Sequence, residues 1–105
     1  MNRRTKNIIR LIKQNISDID PFAQVILFGS RAHGDENTDS DWDLLLLTDY
    51  PINIEKEIQF RNHLYDFELE TGEPFSLFAY YKDEWNTKQK VTPFYVNVIR
   101  EGINL

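Results

Sequence analysis

Asp41 and Asp43, separated by Trp42 and followed at once by Leu44-Leu45-Leu46-Leu47, are the residues of this 105-residue chain best placed to do chemistry. Alternate side chains of an extended strand share a face, which sets the two carboxylates side by side, with Cα atoms about 6 to 7 Å apart, and turns Trp42 the other way. Paired carboxylates repel each other and resist burial, so at the mouth of an all-leucine strand they call for a compensating cation. Mg²⁺ suits them, because it takes oxygen ligands, keeps some of its waters and is commonly held by one or two carboxylates together with substrate phosphates. Ten residues before Asp41 the apolar run Val25-Ile26-Leu27-Phe28 has just stopped at Gly29-Ser30. A glycine lets phosphate approach the main chain, and a serine opening a short helix offers a hydroxyl beside free backbone N–H groups. The two halves together describe a nucleoside triphosphate held by metal.

Each of these residues also has a plainer use. An acidic pair often caps a turn, Gly29 alone reads as a turn glycine, and Ser30 alone reads as a helix cap. Arg31 reads equally as a counter-charge for a β- or γ-phosphate and as a surface arginine. Ser40 reads as a small polar residue shaping the loop before Asp41, and His33 as a packing residue without a chemical role. The combination of Gly29-Ser30, ten intervening residues and Asp41-x-Asp43, with a strand on each side, favours the chemical reading.

The elements that must position this pattern follow from periodicity. Ile8, Ile9, Leu11, Ile12 and Ile16 recur at helical spacing, predicting an amphipathic helix over Thr5 to Ile16 that covers a sheet. Ser17 to Pro21 breaks it, and Gln24 to Phe28 reads as a short buried strand. The polar stretch Arg31 to Ser40, with Gly34, Asp35, Asn37 and Asp39, reads as a short helix, a turn and a return loop. So short a connection makes the strand ending at Leu47 or Thr48 a neighbour of the first. A second helix is expected from Asn53 or Ile54 to about Leu69, with Ile54, Ile58, Phe60, Leu64, Tyr65 and Leu69 on a broad apolar side and Gly72 at its C-cap. Pro74 to Tyr81 is a third strand, with Phe75, Leu77, Ala79 and Tyr81 on one face and Ser76, Phe78 and Tyr80 on the other. Lys82 to Lys90 is helix or loop. A last helix is bounded by Thr92 as cap, Pro93 in the first turn and Gly102 as stop. The fold class is α+β, a small mixed β-sheet backed by helices in a single domain spanning 1–105.

Gly29-Ser30 followed by Asp41-x-Asp43 resembles the signature of the DNA polymerase beta-like nucleotidyltransferase superfamily. The short length is similar to its minimal nucleotidyltransferases, the antitoxin-type members among them. The resemblance implies a polymerase beta-like palm fold, Mg²⁺ as cofactor and ATP or another NTP as substrate. Asp41 and Asp43 would be the catalytic metal ligands, and Gly29, Ser30, Arg31 and Ser40 would line the nucleotide site. The implied reaction moves a nucleoside monophosphate, AMP from ATP, onto a hydroxyl of a partner protein or other acceptor. The implied setting is a pair with a small helical HEPN-type partner.

Full members carry a third carboxylate on a later strand, as general base or metal ligand, and Pro74 to Tyr81 contains none. Ser76 sits on a face able to point toward the site, but a hydroxyl cannot serve as a carboxylate base at neutral pH. Glu73, just before the strand, and Glu70, near the end of the preceding helix, are the candidates for that role. A missing base typically lowers a rate by about 10² to 10⁴ without abolishing binding. A non-catalytic nucleotide-binding antitoxin or interaction module is therefore the alternative. A small-molecule, antibiotic-type nucleotidyltransferase ranks below it, because nothing corresponds to a second domain forming an acceptor pocket.

Composition sets outer bounds. With 41% apolar and 13% aromatic residues the chain has enough material for one core, and neither disorder nor a membrane span is expected. The polar start Met1-Asn2-Arg3-Arg4 lacks the apolar core of a signal peptide, and the absence of cysteine excludes disulfides, so a cytoplasmic location is expected. A formal charge of −5 argues against direct nucleic-acid binding. The cations Arg3, Arg4, Lys6, Arg10 and Lys13 cluster in the first 14 residues, where they read as a solvated helix face.

Overall fold

The computed structural model describes residues 2–33 and 40–105. The expected turn and return loop at Gly34, Asp35, Asn37 and Asp39 lie outside them. The chain opens with α1 (Arg3–Ser17), whose first turn is capped by Asn2 Oδ1 accepting from the Thr5 amide at 2.8 Å. Next come β1 (Gln24–Phe28), a single 3-10 turn (Ser30–His33) and β2 (Trp42–Thr48). α2 (Ile54–Thr71) is capped by Asn53 and stops at Gly72, which takes the left-handed φ of +73°. β3 (Phe75–Tyr81) leads directly into the one-turn helix α3 (Lys82–Trp85). A second 3-10 turn (Lys88–Val91), α4 (Pro93–Glu101) and the two-residue β4 (Ile103–Asn104) complete the order.

Among the described residues the strands form one sheet in the order β3-β2-β1-β4. β1 pairs antiparallel with both β2 and β4, whereas β2 and β3 run parallel, so α2 serves as the crossover that a parallel pair requires. The sheet is thus small, mixed and backed by helices, as expected.

The leucine run explains why the sheet is covered twice. Leu44 and Leu46 point with Trp42 into a core built by Ile8, Ile12 and Ile16 of α1 and Phe60, Leu64 and Phe67 of α2. Leu45 and Leu47 point the opposite way, against Trp85 of α3 and Val98 of α4, with Phe28, Tyr80, Phe94 and Tyr95 at the margin. All four leucines are buried. At about 1.5 to 3 kcal/mol per buried leucine, neither face could be left in water. Asp41 and Asp43 share the parity of Leu45 and Leu47, so they lie on the α4 side of the sheet.

One expectation changes and another is refined. α2 buries Phe60, Leu64 and Phe67, while Ile54, Ile58, Tyr65 and Leu69 remain exposed. Its apolar residues fall on two stripes, and the sheet with α1 takes only one. The segment Lys82 to Lys90, read as helix or loop, contains a core residue: Trp85 is 1% exposed.

Candidate active site

The site grows from the ends of three adjacent strands. Gly29, directly after β1, adopts φ +75°, a left-handed conformation that L side chains rarely take. A Cβ there would overlap Oδ2 of Asp43 and come within 3.2 Å of its Cγ. The bare Cα of Gly29 therefore makes room for a carboxylate, which requires glycine for contact as well as for torsion.

In the sheet register Asp43 sits between Phe28 on β1 and Ser76 on β3. Ser76 Oγ donates to Asp41 Oδ2 at 3.1 Å, so the diagonal neighbour across the parallel pair joins the cluster. Gly29, Asp41, Asp43 and Ser76 are thus brought together on one face. Phe28, Phe78 and Phe94 border them, with ring centroids 5.4 to 5.7 Å apart. Burial, followed by the neighbouring charge of Asp41, pushes the Asp43 carboxyl above its ordinary value.

Ser30 opens the 3-10 turn and is half-buried. With four residues, the turn is too short to act as an extended helix dipole, so any contribution to phosphate binding comes from individual N–H groups and the hydroxyl. Ser40 offers its carbonyl to Arg31 Nε at 3.2 Å. Arg31 is buried rather than on the surface, with its guanidinium 4.6 Å from the centre of the Trp42 ring. His33 is exposed and lies 3.1 Å from Glu101 on α4.

Neither candidate for a third carboxylate reaches the pair, and among the described residues no three His, Cys, Asp or Glu side chains converge as a metal-binding group. Glu70 is exposed on α2, which packs on the opposite face. Glu73 is buried on that opposite face, where it accepts from Trp42 Nε1 at 3.0 Å and from Arg4 and pairs with Arg31. Burial pushes its carboxyl up, but the Trp42 and Arg4 hydrogen bonds and the charges of Arg4 and Arg31 outweigh that and hold it below its ordinary value. It is an ionised structural acceptor. On β3 the side chain that reaches the pair is the Ser76 hydroxyl and not a carboxylate.

An open cavity of about 350 Å³ lies between α1 and β1, lined by residues including Arg10, Lys13, Asp20, Val25 and Leu105, toward the other end of β1.

A four-stranded mixed sheet carrying a carboxylate pair beside a glycine turn, covered by helices on both faces, defines a nucleotidyltransferase-like domain. The chain belongs to the family described as "Polymerase beta, Nucleotidyltransferase", whose model matches residues 6–105. Its fold is similar to a crystal structure of a toxin–antitoxin with AMP-PNP, at 18% identity and a TM-score of 0.60, covering 95% of this chain and 70% of that one. It is equally similar to a mutant of the toxin–antitoxin MntA-HpeT, at 16% identity and a TM-score of 0.60, covering 99% and 72%. A second MntA-HpeT mutant gives 18% identity and a TM-score of 0.56 over 100% and 72%. At these identities the likeness is one of fold. No curated protein matches the chain in sequence.

Proposed function

We propose that this domain is a Mg²⁺-dependent nucleotidyltransferase that moves AMP from ATP onto a hydroxyl of a partner protein or other acceptor. The observation that carries the reading is the seating of Asp43 against Gly29, with Asp41 on the same face. The donor set fits a hard divalent ion: two carboxylates side by side, one with its pKa raised by burial and by the other's charge, and oxygen as the ligand atom throughout. Asp41 and Asp43 would hold the metal, which when bound would neutralise phosphate charge as the acceptor oxygen forms its bond to the α-phosphorus and pyrophosphate leaves with the breaking α–β bond, the hydroxyl proton passing to water. Gly29 and Ser30 admit the triphosphate to the main chain. Ser76 orients Asp41 by donating to its Oδ2.

The partner reading rests on the fold neighbours. One is a toxin–antitoxin with AMP-PNP, and another carries two aspartates, two positions apart, replaced by glutamate. By that analogy the domain acts as the antitoxin of a pair, with a helical HEPN-type toxin as partner and AMP acceptor. A second reading, a nucleotide-binding antitoxin without turnover, is favoured by Ser76, which supplies no base.

Calorimetric titration of ATP with and without Mg²⁺, on the wild type and on Asp41→Asn/Asp43→Asn, tests the site. Metal-dependent binding lost in the double variant is expected. Absence of binding to the folded wild type, alone and with its partner, would refute the nucleotide site. Labelled ATP with the partner then separates the two readings: transfer of label to the partner identifies the enzyme, and binding without transfer identifies the module.

A further inference from the structure

Beneath the aspartates, on the other face of the sheet, one buried carboxylate joins the segments that carry the site. Glu73 is 4% exposed. Its Oε1 accepts from Arg4 Nε at 3.2 Å and Nη2 at 2.5 Å, and its Oε2 accepts from Trp42 Nε1 at 3.0 Å and Arg31 Nη2 at 3.4 Å. Arg31 lies two residues after Gly29, Trp42 stands between Asp41 and Asp43, and Glu73 itself is three residues before Ser76. Arg31 also stacks on Trp42 and holds the Ser40 carbonyl. Each stretch that contributes to the cluster above the sheet therefore has one side chain in this network below it.

We propose that Glu73 is a positioning residue, whose carboxylate acts through Arg31 and Trp42 to set the distance between the Gly29 turn and the Asp41/Asp43 pair. Stability alone does not account for the network. A buried ion pair is no more stabilising than well-packed apolar side chains of the same volume, whereas a guanidinium fork and an indole N–H fix direction as well as distance. Directional fixing matters here because the Asp43 carboxylate lies where a Cβ on Gly29 would fall, so a small shift of either segment disturbs the carboxylate. The inference rests on the pair being the metal-nucleotide site.

The test uses Glu73→Gln, which keeps shape but removes charge, and Trp42→Phe, which keeps a ring but removes the N–H. Both leave Gly29, Ser30, Asp41 and Asp43 in place, so neither removes a group of the proposed nucleotide site. Three quantities are measured: the urea midpoint, Mg-ATP affinity under conditions where each variant is folded, and amide hydrogen exchange of nucleotide-free protein over residues 29–33 and 40–43. A packing role lowers the midpoint alone. The positioning role predicts affinity weakened about 10-fold or more, as loss of outer-shell partners commonly does, with faster exchange confined to those two segments. If Glu73→Gln does not fold, Trp42→Phe carries the test. Folded variants that bind Mg-ATP within about twofold of wild type and exchange as wild type does would overturn the proposal. If the wild type itself does not bind Mg-ATP, the nucleotide reading falls and the exchange pattern alone decides whether Glu73 sets the geometry.

Discussion

Gly29 leaves no room for a side chain beside Asp43, and the chemistry of the two predicts opposite outcomes for two small substitutions. Gly29→Ala must hold an L residue at φ +75° and fit a Cβ where the Asp43 carboxylate lies. The torsion alone costs about 1 to 2 kcal/mol, so urea denaturation should report at least that loss, and calorimetry should find metal-dependent nucleotide binding abolished. Asp43→Asn should instead stabilise the metal-free protein. The Asp43 pKa is raised in the fold above its ordinary 3.8, so the native state holds that proton more tightly than the unfolded chain. Its contribution is present below the unfolded value and lost as pH rises through the raised one. In thermal melts with chelator at pH 7, Asp43→Asn should therefore melt above wild type, and the gap should narrow toward pH 3.8. The aspartate pair was readable in the sequence because a period of two sets residues 41 and 43 on one face without further information. The same count sets Glu73, three residues before Ser76, on the face opposite to it, which parity alone could have signalled. That Glu73 would meet Arg4 and Trp42 was not readable, since those contacts span 69 and 31 residues of sequence.

The elements with explicit boundary residues were the ones the sequence specified best. Thr92, Pro93 and Gly102 bracket α4 as expected, and Thr92 Oγ1 accepts from the Tyr95 amide at 3.1 Å. Thr92→Ala removes that cap and should lower stability by about 0.5 to 2 kcal/mol in urea titrations, because α4 has only nine residues over which to recover it. The effect should reach the site, since Phe94 of α4 packs on Phe28 and Phe78 beside Asp43. The outer stripe of α2 was misread because periodicity marks apolar residues without telling which of two faces meets the sheet. Trp85 was missed for a related reason: a one-turn helix is too short to show a period, and its burial depends on Tyr80, Phe94 and Tyr95 from other elements.

At the scale of the whole molecule, metal and nucleotide should add visibly to a modest stability. A ligand at about 100 times its dissociation constant stabilises by about 2.7 kcal/mol, which in a domain of this length shifts the melting temperature by roughly 10 to 20 °C. A thermal scan with Mg²⁺ and saturating ATP should find a shift of that order in the wild type and none in Asp41→Asn/Asp43→Asn. Among the described residues no helix is long and apolar enough to cross a membrane, and the leucine strand that resembles membrane material is enclosed between two helical layers. Arg31 has one more consequence. By gripping the Ser40 carbonyl while anchored to Glu73, it ties the turn that follows β1 to the residue that leads into β2. The two approaches to the carboxylate pair are thus yoked to a single buried anion, and a change that displaces one carries the other with it.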